Sequence, residues 1–406
     1  MTDIRTTDAV AFPQDRTCPY QPPSGYRLLA EQRPISQVTL YDGRTAWAVT
    51  GHAMARRLLV DPRLSSDRTN PEWPMLTARV AAAATDVQKK VLKIATMLVG
   101  VDDPVHNARR RLLISSFTIR RINALRPRVQ EIVDRQLDDM LGRDAPTDLI
   151  RAFASPVPMR VLCDLLGVPY DDHDFFERQS HQLLFGAHGN EAYDLLMAYL
   201  GALIERKRHN PGEGVLDDLI AEHGATGRVD SEELLQLMLV LLAAGHDTTT
   251  SMISLSVVAL LEAPERLAEL RADPSLMPAA VEELTRLLSI AEGMPRVATA
   301  DIEVEGTTIR RGDGVLFMTS LINRDGDVHE RPDSLDWHRQ TVRDHVAFGF
   351  GVHQCIGQNV ARATVEIAVR ALIERLPGLR LAVPVQELPF RSGAGIQKLI
   401  ELPVSW

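Results

Sequence analysis

Cysteine is scarce in this 406-residue chain: Cys18, Cys163 and Cys355 are an odd number, lie far apart and form no C-x-x-C pair. That excludes a disulfide framework and a zinc-ribbon site, and leads to the expectation of a reduced, cytoplasmic protein. Basic charge is in deficit, 45 Lys and Arg against 54 Asp and Glu, for a formal net charge of -9. Broad nucleic-acid binding needs a basic footprint that is missing here, although a local basic face fits within the total. Long apolar runs are absent as well. The longest, Leu234 to Gly245, reaches roughly half of the ~20 residues that span a bilayer, and His246 and Asp247 follow it directly. No membrane span is expected. The first residues carry Asp3, Arg5 and Asp8 without the apolar core of a signal peptide, so residues 1–25 are expected to be a surface tail. Neither a repeat nor a Pro, Gly and Ser-rich linker divides the rest, which predicts one large domain over 1–406.

What is present, 45% apolar and 24% charged residues, suffices for a large core. Val38 to Val49 alternates apolar and polar residues around Asp42-Gly43, which predicts a β-hairpin, and a short helix is expected over His52 to Leu59. Residues 70–100 show no clean period and read as an irregular excursion. From Arg109 to about Arg208 the spacing is helical, broken at Pro156, Pro158 and Pro169 and at a turn over Gly186 to Asn190. Asp230 and Glu233 form a capping box ahead of an apolar helix that runs to about Leu261. β-rich portions are expected near 35–50, 295–320 and 380–406, so the fold class is mainly α with small β-sheets.

The most specific segment is Phe348-Gly-Phe-Gly-Val-His-Gln-Cys355-Ile-Gly357, followed by a helical apolar pattern from Val360 to Leu372. A cysteine just before a helix meets the positive end of the macrodipole and free N–H groups, both of which favour a thiolate. Gly349, Gly351 and Gly357 let the backbone turn tightly and approach a flat cofactor. Ala244-Gly245-His246-Asp247-Thr248-Thr249 places a glycine inside the long helix, at ~1 kcal/mol relative to Ala, together with an acid that is expensive to bury. A purely structural helix gains nothing obvious from either. Thr hydroxyls can bond back to the carbonyl four residues earlier, loosening the ladder and opening a groove for a small ligand and water. Glu283-Leu-Thr-Arg286 sets opposite charges on one helical face; taken alone, such a pair is a surface contact worth ~0.2–0.5 kcal/mol. His106 and Arg110 share a face four residues apart, and each taken singly reads as a solvated side chain.

Taken together, the F-x-x-G-x-H-x-C-x-G, A-G-x-D-T-T, E-x-x-R and H-x-x-x-R patterns resemble the cytochrome P450 superfamily, and in detail its actinobacterial family 105. The resemblance runs from Tyr26 to the end. It implies the cytochrome P450 fold and haem b (iron protoporphyrin IX), with Cys355 as the iron ligand and Phe348, Gly349, Gly357 and Ala244 against the cofactor. His106, Arg110, Arg296, His345 and His353 become propionate partners, while Glu283, Arg286 and Arg339 interlock as a structural group needed for haem retention. Asp247 and Thr248 become the acid–alcohol pair that supplies protons. Electrons are implied to come from NAD(P)H through ferredoxin reductase and a ferredoxin, with O2 as co-substrate and the protein a monomer. Arg109 and Arg111 are expected to face the ferredoxin. The implied substrate is a bulky hydrophobic molecule such as a macrolide, statin precursor, terpenoid or sterol, which gains one oxygen atom. By family position its pocket includes Trp73, Leu98, Leu183, Ala243, Ile290, Met294 and Ile396. Asp325-Gly326 departs from the Asp-Pro of most relatives at a turn remote from the chemistry. Two rivals stay open: a peroxide-driven haem-thiolate oxygenase, against which Asp247 and Thr248 count, and a non-catalytic haem-binding partner protein, against which the intact Cys355 and E-x-x-R count.

Overall fold

The computed structural model describes residues 10–76, 86–185, 188–226, 231–391 and 395–406. In chain order the first elements are β1 (Val10–Phe12), α1 (Arg27–Glu31), β2 (Ile35–Leu40), β3 (Thr45–Val49), α2 (His52–Leu58) and β4 (Leu64–Ser65). A helical stretch follows: α3 (Asp86–Ala95), α4 (Val105–Ile114), α5 (Ile119–Leu141), then β5 (Thr147–Asp148), α6 (Pro156–Leu166), α7 (His173–Phe185) and α8 (Gly189–His209). It continues with α9 (Val215–Thr226), α10 (Ser231–Leu261), α11 (Pro264–Ala272) and α12 (Met277–Leu288). The carboxyl third holds β6 (Met294–Ala298), β7 (Ile302–Val304), β8 (Thr307–Ile309), β9 (Gly314–Phe317), α13 (Thr319–Ile322), α14 (Gln358–Arg375), β10 (Arg380–Leu381) and β11 (Pro403–Ser405). The mainly α architecture with small sheets is as expected. The residues group into two compact units, one of Met1–Ala82, Glu282–Gln354 and Pro389–Lys398, the other of Ala83–Val281, Cys355–Leu388 and Leu399–Trp406.

The first unit is built on a mixed sheet in the order β1-β2-β3-β9-β6-β4. The predicted hairpin is present: β2 and β3 pair antiparallel with Val38 opposite Ala46, so the alternating apolar positions reach one core. β3 continues parallel to β9, and β6 pairs antiparallel with β9. The expected surface tail is corrected at Val10–Phe12, which adds a strand parallel to β2. Phe12 there is 2% exposed and stacks on Tyr26 with ring centroids 6.0 Å apart. Three residues are too few to show a period, and their order comes from a tertiary partner.

The second unit is helical, with α10 at its centre. α10 is 31 residues long and apolar nearly all round, as a helix enclosed on every side must be. It packs on α6 and α14, and α14 in turn packs on α5. Gly245 explains how closely α6 approaches: a Cβ there would lie 2.9 Å from Leu162 Cδ2 and 3.1 Å from Cδ1. The mid-helix glycine therefore has a packing reason that the sequence pattern alone did not show. The expectation of an irregular 70–100 segment is corrected at α3, which Lys90 ties to Asp194 at 2.7 Å and Lys93 ties to Glu232. Asp230 of the expected capping box and residues 186–187 of the expected turn lie outside the described residues.

One polar cluster organises the first unit. Glu283 and Arg286, one turn apart on α12, are both fully enclosed, and Arg286 grips the carboxylate through two bonds, Nε to Oε2 at 2.7 Å and Nη2 to Oε1 at 2.8 Å. Arg286 also donates to the carbonyls of Asn323 and Pro332 at 2.8 Å and of Ser334 at 3.3 Å. Arg339 Nε reaches Glu283 Oε1 at 2.9 Å while its Nη2 donates to Arg331 and Ser334 carbonyls, and Asp336 N–H closes on the same Glu283 oxygen. A buried carboxylate is tolerated because each of its oxygens is met by a charge-assisted donor. Replacing Glu283 with Ala leaves two enclosed guanidinium groups unmatched, so unfolding stability should fall by about 3–5 kcal/mol. Glu31→Ala, at an exposed pair with Arg27, should change it by less than about 1 kcal/mol. Denaturant unfolding of both variants checks this; similar midpoints would contradict the structural role.

Candidate functional site

Each unit carries part of the residue set singled out from sequence. In the second unit, Cys355 stands ahead of α14, with Gly357 as the residue before its first turn. The residue is exposed, yet its sulfur is set deep enough among protein atoms that burial pushes the thiol up. Four groups oppose that shift: the N–H of Gly357, the guanidinium groups of Arg110 and Arg362, and the N–H of Gln358. A Cβ on Gly357 would lie 4.0 Å from the sulfur, an ordinary contact distance. A sulfur that is open on one side, collared by two N–H donors and faced by two permanent cations, fits a thiolate bound to a metal, which deprotonates a coordinating thiol outright. Arg362 was missed by sequence reasoning; its signal is its place seven residues past Cys355, in the second turn of the following helix.

α4 supplies His106 and Arg110. His106 is buried, and its pKa is lowered by burial first and by the Arg110 charge second, so it is held neutral. Arg110 is lowered by burial and held up by Cys355. On the same helix, Arg109 corrects the docking expectation: its Nε donates to Glu233 at 2.6 Å and its Nη1 to the Thr96 carbonyl at 3.0 Å, which joins α4 to the start of α10. Arg111 remains exposed.

On α10, Thr248 Oγ1 donates to the Ala244 carbonyl at 2.8 Å, and Thr249, Thr250 and Ser251 repeat the same bond to Gly245, His246 and Asp247 at 2.8 to 3.0 Å. Four consecutive carbonyls are thus each shared with a hydroxyl, as the threonines predicted. The helix is nevertheless unbroken through this stretch. Asp247 is buried at 8% exposure, Ala244 is exposed and Ala243 half-buried. His246, which sequence reasoning passed over, approaches Ser155 Oγ at 3.1 Å through Nε2 and so pins this turn. Leu98 and Leu183 fall in one buried apolar cluster with Leu239 and Val240 of α10.

In the first unit, the loop from Val346 to Gln354 starts from Asn323, whose Oδ1 accepts the Val346 N–H at 2.8 Å. Gly351 has φ +77°, and a Cβ there would meet Val60 Cγ1 at 2.8 Å, so only glycine fits. Phe348 and His353 are half-buried, and Gly349 lies beside Met294 Sδ. Arg296, on β6, is half-buried and donates to the Pro295 carbonyl at 2.7 Å. His345 Nε2 is 3.2 Å from buried Glu282, and its Nδ1 accepts the Ala347 N–H at 3.3 Å. Ala291 bridges Ile396, and Gln397 N–H donates to Ile290 at 2.7 Å, so the expected pocket residues Ile290 and Ile396 are neighbours. Trp73 is 8% exposed.

Residues 183–377 match the family model described as cytochrome P450. The chain is 59% identical over 400 residues to pentalenic acid synthase of Streptomyces avermitilis, covering 98% of this chain and 97% of that protein. It is 50% identical to vitamin D3 dihydroxylase of Streptomyces griseolus, across 100% of this chain and 99% of the relative. Among solved structures, that of CYP105D6 superposes with a TM-score of 0.89 at 48% identity, covering 98% of this chain and 99% of that one. No helix among the described residues is long and apolar enough to cross a membrane. With most of its length shared at these identities, the chain belongs to the cytochrome P450 family, as a family 105 monooxygenase that uses haem and O2.

Proposed function

We propose that this chain hydroxylates a bulky, largely apolar small molecule of the terpenoid, sterol or macrolide kind, with Cys355 as the haem-iron ligand and electrons delivered by a ferredoxin and its reductase. The observation that carries the reading is the open Cys355 sulfur, held by the N–H groups of Gly357 and Gln358 and faced by Arg110 and Arg362. Relatives named for the oxidation of vitamin D3 and for C21 methyl hydroxylation of mycinamicin VIII support the substrate class. When bound, the haem supplies the oxidising chemistry, and a thiolate ligand favours O–O cleavage.

The protein's share is position, charge and protons. Arg110 and Arg296 would offer charge to the haem propionates, and His106 and His353 would offer ring nitrogens. Gly349, Phe348, Gly357 and Ala244 would be the residues set against the cofactor. Thr248 gives its only proton to the Ala244 carbonyl, which leaves the Oγ1 lone pairs as acceptors facing away from the ladder. Rotating that hydroxyl off Ala244 releases the proton for transfer, and Asp247, the adjacent buried acid, replaces it. Trp73, Leu98, Leu183, Ala243, Ile290, Met294 and Ile396 contribute to the substrate's surroundings. The exposed Arg111 is the remaining α4 cation for an acidic ferredoxin.

Cys355→Ser should abolish ferredoxin-supported turnover and the thiolate-type carbon monoxide spectrum, because a neutral hydroxyl is a far weaker donor to iron. Retention of that spectrum would overturn the assignment. Thr248→Ala should keep substrate affinity within about twofold while product formed per NADPH drops roughly tenfold or more, since proton delivery is disturbed and binding is not. Simultaneous assay of NADPH, peroxide and product reads this out; unchanged coupling would remove Thr248 from the proton path.

A further inference from the structure

The amino-terminal segment sends one buried arginine to the end of α12. Arg16 is 3% exposed; its Nη1 donates to the Leu288 carbonyl at 2.8 Å and its Nη2 to the Ser289 carbonyl at 3.3 Å. This is where a helix runs out of N–H groups to meet its carbonyls, and where a cation suits the negative end of its dipole. Glu292, 5% exposed, balances the charge, with Oε2 3.5 Å from the Arg16 Nη2. Its other oxygen, Oε1, accepts the Gly293 N–H at 3.3 Å and the Ser320 N–H at 3.4 Å. A guanidinium keeps its proton inside a protein, so removing either partner strands a buried charge.

Between these anchors the chain turns through two left-handed positions, Ser289 at φ +41° and Gly293 at φ +62°. A serine keeps that conformation only where its surroundings impose it. Here Arg16 holds its carbonyl, while its own Oγ donates to the Arg286 carbonyl at 2.7 Å. Phe12 also packs on the turn, since a Cβ on Gly293 would overlap its ring. The strip that follows is tied to residues 395–397 by Gln397 N–H to Ile290 at 2.7 Å and by Glu292 N–H to Gly395 at 2.8 Å. It ends at Met294, whose Sδ would lie 3.9 Å from a Cβ on Gly349, in the loop before Cys355. Amino-terminal residues thus brace one end of a strip whose other end adjoins the Cys355 loop.

We infer that Arg16 is a positioning residue for the oxidation: by holding the Leu288 and Ser289 carbonyls and the Glu292 carboxylate, it fixes the strip from Ile290 to Met294 where that strip meets the substrate. This rests on the proposed function, in which Ile290 and Met294 belong to the substrate's surroundings. The Arg16 side chain is itself fully enclosed by protein and acts only through the strip.

Two azoles that bind haem iron are the probes: imidazole, small enough to reach the iron without the pocket walls, and clotrimazole, whose aryl rings must meet them. Affinities are read from the haem spectral shift of the holoprotein. In Arg16→Met the Kd for clotrimazole should rise at least about fivefold, near the lower end of what one lost methylene contact costs in an apolar pocket. The Kd for imidazole should stay within about twofold and the carbon monoxide spectrum should not change. Arg16→Lys, which keeps the charge without the planar fork, should fall between. Ile290→Ala alters the strip directly and should move the same ratio, whereas Arg33→Met, which removes the pair with Asp325 elsewhere in the unit, should not. An unchanged ratio in Arg16→Met beside a changed one in Ile290→Ala overturns the inference and leaves the substrate reading in place. An unchanged ratio in both takes the strip out of the substrate's surroundings and overturns that part of the reading together with the inference. An equal change in Arg33→Met reduces the effect to general destabilisation and overturns it too. If Arg16→Met does not retain haem, the double variant Arg16→Met, Glu292→Met removes both charges together and should show the same loss of clotrimazole affinity. Failure of that variant as well makes Arg16 a residue of folding alone and overturns the assignment.

Discussion

A fully enclosed carboxylate that must be matched by two arginines is the constraint on which the first unit depends. Glu283 accepts from Arg286, Arg339 and the Asp336 N–H, and Arg286 spends its remaining donors on carbonyls between Asn323 and Ser334. Irregular chain with exposed carbonyls is costly to bury unless each acceptor finds a donor. Here one ion cluster satisfies a whole coil of them. The same coil holds Asn323, whose side chain takes the Val346 N–H and so starts the glycine-bearing loop that leads to Cys355. A buried pair such as this gives little net stability relative to apolar packing, and its value lies in allowing one arrangement of that loop.

The second unit meets a different demand, which is to keep polar groups inside an apolar helix without breaking it. α10 does so by pairing each hydroxyl of its central stretch with a carbonyl one turn back, from Thr248 to Ser251. Bonds of that kind are local and can be exchanged by rotation about one χ1 angle, so the hydroxyls can move without the helix losing its backbone ladder. Gly245 on the same turn admits Leu162 of α6. Close helix packing and hydroxyl-to-carbonyl bonding therefore share the stretch from Gly245 to Ser251, and substitution there tests both at once.

How far the sequence was legible followed from how local each requirement is. The Cys355 loop could be read because positive φ values, close backbone approach and a helix start each demand particular residue types at fixed offsets. Glu283 and Arg286 could be read as a pair but not as a buried one, since i,i+3 spacing is identical on a surface and in a core. Their third partner and their carbonyls come from residues 323 to 339, which only folding brings near. Arg109 was misread for the same reason in reverse: the residue type suited an exposed docking role, and a distant acid, Glu233, claimed it. α3 went unread because ion pairs to other helices help hold it, and β1 because three residues carry no period.

The central claim concerns the sulfur: the N–H groups of Gly357 and Gln358 and the guanidinium groups of Arg110 and Arg362 would hold Cys355 as a thiolate ligand to iron. X-ray absorption at the iron edge of the native holoprotein tests it most directly. The account predicts one sulfur neighbour at bonding distance in addition to the porphyrin nitrogens, and an iron surrounded by nitrogen and oxygen alone would contradict it.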